Sequence, residues 1–205
     1  MGLLKKLAKS ILNTKPKRKT YNKNSSEQIG KLGENKVKAQ IRPKFLEIGY
    51  YIINDYKTMI NNKSVQIDHI IITENKVLCI ETKNYNNCLI LGKYDNYQWT
   101  ICYGKNKQQM YNPIKQNANH IKVLKQIIKQ DIEIENIVVF TGKANTLNIR
   151  YKEIYTNEKL KRYVKSIKDN NFSKKAYNIY LDLMESKKDI TNEEHINNIK
   201  NRKLT

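Results

Sequence analysis

Gln66-Ile67-Asp68-His69-Ile70, followed by Cys79-Ile80-Glu81-Thr82-Lys83-Asn84-Tyr85, sets charges inside two runs that are otherwise apolar. Such charges are rare in buried strands unless they are paired or hold a metal. Val65–Thr73 and Lys76–Lys83 read as strands, and Thr73-Glu74-Asn75-Lys76 is short enough for a hairpin turn. Side chains alternate along a strand, so Glu81 and Lys83 share one face while Ile80 and Thr82 take the other. Asp68, across the hairpin, can reach the same edge. Two carboxylates suit Mg²⁺, which prefers hard oxygen ligands and keeps several waters. A lysine beside them can orient or deprotonate a water, or neutralise a phosphate. The plain alternative is a structural ion pair, Glu81 with Lys83 or Asp68 with an arginine.

Charge points the same way. Lys plus Arg number 39 against 19 acidic residues, a net charge of +20. Such an excess favours polyanionic partners, nucleic acid first and an anionic membrane surface second. A lysine-rich solvated surface is the bland reading of the same number. The fourteen tyrosines fit either view, as base-stacking rings or as amphipathic residues at the core edge. Cys79, Cys88 and Cys102 show no Cys-x-x-Cys spacing, and an odd count without a framework implies reduced thiols and a cytoplasmic setting. No apolar run approaches bilayer length, and there is no repeat, glycine-rich phosphate loop or zinc spacing.

Along the chain, residues 1–24 stand apart. Leu3, Leu4, Leu7 and Ile11 recur at helical spacing among lysines, so residues 3–12 suit a short helix on an anionic membrane. Lys15-Pro16-Lys17-Arg18-Lys19 reads as a basic linker able to grip phosphates. A solvated tail is the alternative. Ser25 or Ser26 can cap a helix running to about Ile41, with Pro43 expected to stop it. Glu34 falls on the stripe of Val37 and Ile41, which suits an accessory metal or water ligand; a surface pair with Lys38 is the other reading.

Tyr50–Tyr56 is read as the first strand, and Cys88–Lys93 with Tyr97–Tyr103 as a second hairpin. Asn112-Pro113 opens a helix to about Lys129, with Ile114, Ala118, Ile121, Leu124 and Ile128 as its buried stripe. A second stripe carries Gln116 and His120 near the helix N-terminus, where backbone N–H groups favour anions. His120 alone reads more simply as a structural histidine. Asn136–Thr141 is read as a buried strand, 157–168 and 174–187 as helices, and a polar segment follows from Thr191. This order implies an α/β core, a mixed sheet flanked by helices.

Asp68 followed by Glu81-x-Lys83 resembles the core of the PD-(D/E)XK nuclease superfamily. More narrowly, four segments resemble the nuclease-related domain family in its order. They are Gly30-Lys31-Leu32-Gly33-Glu34, Gln66 to Ile70, Ile80 to Tyr85, and Asn112-Pro113-Ile114-Lys115-Gln116 with His120. Together they cover roughly residues 28 to 130. Ile67 stands where the superfamily name has proline, a common departure. The resemblance implies a restriction-endonuclease-like core over 25–145, after the basic segment 1–24 and before a mostly helical C-terminal extension, 146–205. It implies a nuclease dependent on Mg²⁺, with Mn²⁺ as substitute, in which Asp68, Glu81 and the Thr82 carbonyl bind metal. Lys83 would position or activate water, and Glu34 and Gln116 would complete the site. DNA is favoured as the partner. The alternative is a weak or inactive nucleic-acid-binding module, with a membrane-peripheral setting as its variant.

Overall fold

A computed structural model describes residues 26–47, 51–167 and 173–201. The expectations for residues 1–24, the membrane-binding stretch and basic linker, lie outside the described residues. The first helix, α1, spans Ser26–Glu47. It runs past Pro43, contrary to the stop expected there. Proline forfeits one N–H bond and kinks a helix. Here Val37 and Ile41, both fully buried, have already fastened α1 to the core before the proline.

Strands β1 (Tyr51–Ile60), β2 (Lys63–Ile72) and β3 (Lys76–Lys83) form an antiparallel meander. Both of its turns have local causes. Asn61 and Asn62 adopt φ of 48° and 59°, the left-handed pair that a tight hairpin needs and that asparagine tolerates. Thr73 closes the next turn, its hydroxyl donating to the Lys76 carbonyl at 2.8 Å and accepting the Lys76 N–H at 3.0 Å.

A three-stranded antiparallel sheet follows: β4 (Leu89–Leu91), β5 (Gln98–Tyr103) and β6 (Asn106–Tyr111). The sequence reading held only its first hairpin. Strand β6 escaped it because Asn106-Lys107-Gln108-Gln109 is polar and mostly exposed, so no apolar alternation marks it. Helix α2 (Pro113–Ile127) leads to β7 (Glu133–Phe140), which pairs parallel with β3, and β8 (Ile154–Thr156) pairs parallel with β7. The main sheet is therefore mixed, ordered β1-β2-β3-β7-β8. Helices α3 (Asn157–Ser166), α4 (Lys174–Ser186) and α5 (Asn192–Asn201) complete the fold.

Two apolar layers cover the sheet. On one face α1 and α3 bury Val37, Ile41, Leu160 and Val164 against Ile71, Leu78, Ile80 and Val139. On the other, α2 and α4 bury Leu124, Ile179 and Leu183 against Ile70, Ile72, Val77 and Cys79. Residues after 145 thus share the main core: β8 extends the sheet and α4 seals one face. The three cysteines are free thiols. No helix among the described residues is long and apolar enough to cross a membrane.

Candidate active site

Strands β2 and β3 separate where the charges lie. Their pairing runs from Ile72↔Val77 to His69↔Ile80 and stops, while β3 continues along β7 as far as Lys83↔Phe140. Beyond Ile80, then, one edge of β3 has lost its partner strand. The Asp68 carboxylate takes that partner's place and accepts the Thr82 N–H at 2.7 Å. A residue's N–H and C=O point to the same edge of a strand, so the Thr82 carbonyl faces the Asp68 side as well. The β1–β2 ladder also breaks here. Asn54↔His69 and Tyr56↔Ile67 flank the gap, and Asp55 lies in it with a left-handed φ of 50°. The break reverses the alternation, so that Ile53 and Tyr56 both face the α4 layer.

On the α2 side of β3, Glu81 is 3% exposed. Its Oε1 accepts from Lys83 Nζ at 2.6 Å and from Gln116 Nε2 at 2.8 Å, while Gln116 Oε1 accepts from Lys83 Nζ at 3.0 Å. These three side chains form a closed polar triangle. Oε1 of its buried carboxylate is satisfied, one of its two bonds being charge-assisted on both sides. His120, also buried, brings Nδ1 to 3.6 Å from Glu81 Oε2, too far for a hydrogen bond. Asn117, one position after Gln116, anchors α2: its Nδ2 donates to the Cys79 carbonyl and to Asn136 Oδ1, each at 2.8 Å.

Glu34 arrives from the opposite layer. Gly33 lets α1 come close, since a Cβ there would meet Asn84 Cβ at 2.7 Å and Thr141 Oγ1 at 2.9 Å. Glu34 is half-buried, and burial first, then the charges of Asp55 and Glu81, push its carboxyl up. Asp68 is pushed well above the carboxylate range by burial, then by Glu81 and Glu34. Burial pulls the Lys83 ammonium down, but the Glu81 charge and hydrogen bond outweigh it, and Lys83 ends above its ordinary value. Burial lowers His120, which Glu81 only partly opposes.

The structure thus brings Glu81, Lys83 and Gln116 into contact, sets Asp68 and Thr82 in contact beside them, and places Glu34 within their electrostatic reach. One acid escaped the sequence reading. Asp55 accepts from Gln66 Nε2 at 2.7 Å and lies 3.6 Å from Lys57 Nζ. The signal was Asn54-Asp55 inside an apolar strand, a pair that tolerates left-handed backbone. The expected anion-favouring start of α2 is already occupied. Asn112 Oδ1 accepts the N–H groups of Ile114 and Lys115, at 2.9 and 3.4 Å.

Among the described residues, no group of three or more His, Cys, Asp and Glu side chains is arranged to hold a metal. The donors at the strand opening are two carboxylates and one main-chain carbonyl edge, all hard oxygens. That set fits a cation that takes one or two carboxylates and keeps its own waters, as Mg²⁺ does.

A mixed sheet between helical layers, with Asp and Glu-x-Lys at the point where two strands part, defines an α/β protein of nuclease-like fold. The family model described as "Nuclease-related domain" matches residues 29–141, more than half of the chain, and the chain belongs to that family. An uncharacterized protein of Bacillus anthracis is 32% identical over 149 residues, covering 68% of this chain and 68% of the relative. No solved structure matches the chain.

Proposed function

We propose that the chain is a Mg²⁺-dependent nuclease, with Mn²⁺ able to substitute, that hydrolyses phosphodiester bonds of nucleic acid, DNA in preference to RNA. The observation that carries the reading is the strand opening at Ile80, where Asp68 bonds to Thr82 next to the Glu81–Lys83 pair. Asp68, Glu81 and the Thr82 carbonyl would hold the cation. Bound there, it would neutralise charge on the phosphoryl oxygen and acidify a water. Lys83 positions or activates the water and balances charge on the phosphate. Gln116 fixes Lys83 and Glu81 relative to each other. Glu34 adds negative charge on the far side, which strengthens the attraction for a cation and leaves a second acceptor for water.

The test is the purified chain on single- and double-stranded DNA and RNA, with Mg²⁺, Mn²⁺ or EDTA. Cutting is expected with metal and none in EDTA. Asp68→Ala, Glu81→Ala and Lys83→Ala should each abolish it in a folded protein. Wild-type cutting by an Asp68→Ala, Glu81→Ala double variant, with contaminants excluded, would refute the assignment. Binding without cutting under every condition would instead support the second reading, a nucleic-acid-binding module. The ion pair that occupies Glu81 Oε1 favours that reading.

A further inference from the structure

A cavity of about 540 Å³ opens between the end of β3, the start of α1 and the edge of the second sheet. Thr82, Lys83, Asn84, Tyr85, Tyr103 and Gln108 are among its walls, so Lys83 belongs both to this cavity and to the carboxylate site. Its volume lies in the range of small-ligand sites. Besides Ile29, Gly30 and Thr82, its lining is two tyrosines, side-chain amides and one cation, with no acidic residue among the described residues.

The walls are held in place. Tyr85 and Tyr103 are half-buried and pack against the Ile90, Trp99 and Phe140 cluster. Gly142 pins the Tyr85 backbone: a Cβ there would fall 1.8 Å from the Tyr85 carbonyl oxygen. Asn84 Nδ2 donates to the Ile29 carbonyl at 2.7 Å, and Asn86 Oδ1 accepts the Lys143 N–H at 3.0 Å. A neighbouring recess of about 350 Å³ shares Asn86 and has Lys36, Lys143 and Glu158 among its walls.

We infer that the cavity beside Lys83 receives an unpaired nucleobase, so that the substrate is single-stranded or locally opened nucleic acid. Aromatic faces and amides are the groups that hold a splayed base, by stacking and by bonds to its Watson–Crick edge. A base inside a duplex offers neither its faces nor that edge, and entry would require unpairing it. With the base seated there, its phosphate lies toward Lys83, and the next phosphate toward Lys36 and Lys143. The inference rests on the nuclease reading for the polymer, but it concerns binding rather than hydrolysis.

The experiment measures binding in EDTA, where nothing is cut, with the full chain and fluorescent 12-residue oligonucleotides, DNA and RNA, single-stranded or as blunt duplexes. At equal salt, a single strand of either polymer should bind at least about tenfold tighter than its duplex. Tyr103→Ala should lose about tenfold for the single strand, the size of one stacked base, and leave duplex affinity unchanged. Tyr103→Phe should retain it. Gln108 is exposed, so Gln108→Glu keeps the fold, and its charge in the cavity should weaken single-strand binding too. Duplex affinity equal to or above that of the single strand would overturn the inference. So would wild-type single-strand affinity in both Tyr103→Ala and Gln108→Glu. Single-strand preference without metal-dependent cutting would sink only the hydrolysis reading. Duplex cutting without single-strand preference would sink only this inference.

Discussion

Asp68 meets three conditions that oppose its charge: burial, Glu81 and Glu34. The Thr82 N–H and Lys83 pull the other way without offsetting them. A carboxyl whose pKa rises on folding binds its proton more tightly in the native state. Its stabilising contribution is complete below the unfolded carboxyl range and is lost as pH rises through the native pKa. Asp68→Asn keeps an acceptor oxygen for Thr82 and removes the charge. The variant is expected to be more stable than the wild type at pH 8, by on the order of 1 kcal/mol. The gap should close toward pH 4, as urea midpoints across that range would show; a gap widening toward acid would contradict the argument. Asp68, Glu81 and Lys83 were legible in the sequence because charge in an apolar strand is conspicuous. Asp55 was marked only weakly, by Asn54-Asp55 in an apolar strand, because the left-handed backbone that sets its place belongs to the folded ladder.

Helix α2 shows why element-level reading goes part of the way. Its apolar spacing marked Ile114, Leu124 and Ile128, which are buried, and Ala118 and Ile121, which are only partly so. The line of contact with the sheet, however, also passes through Asn117, which is fully buried. A polar residue leaves no trace in an apolar stripe, yet this one joins α2 to β3 and β7. Asn117→Ala strips the half-buried Asn136 amide oxygen of a donor and removes one from the buried Cys79 carbonyl. The expected cost is about 1–3 kcal/mol, measured as a lower urea midpoint at unchanged denaturant slope. Full stability in the variant would mean that α2 is held by its apolar contacts alone. A shift of α2 in the variant would move Gln116, a member of the Glu81 triangle, so the variant is also expected to cut more slowly than its remaining folded fraction explains.

For the whole molecule, the excess of 39 basic over 19 acidic residues is the dominant long-range property. The acids that converge at the strand opening are a local exception within it. Phosphate neutralisation releases counterions, so nucleic-acid affinity should fall linearly on a log–log plot against salt. Base sequence should matter little, since the cavity offers stacking and flexible amides rather than a fixed code. Titrations between about 50 and 200 mM salt are expected to show roughly a three-hundredfold loss for a single strand, and a thousandfold or more for a duplex, if about six phosphates are contacted. A flat response would remove the electrostatic argument. Binding of the long chain and seating of one base are separable, because salt acts on the first and Tyr103→Ala on the second.

The local pattern of this sequence determined the α/β class, β3 and its Glu-x-Lys, the hairpin that carries Asp68, and the cap that opens α2. Each depends on period, turn chemistry or a charge among neighbours a few residues away. Tertiary structure alone decided where β2 leaves β3, that Asp68 bonds to the backbone of Thr82, and that Gln116 closes the Glu81–Lys83 pair. It also made the exposed, polar β6 into a strand whose Gln108 walls a cavity against Lys83. Those outcomes rest on contacts between residues far apart in the chain, which no local periodicity encodes. They follow from which backbone groups the packed sheet leaves without a partner, and from which side chains are near enough to replace one.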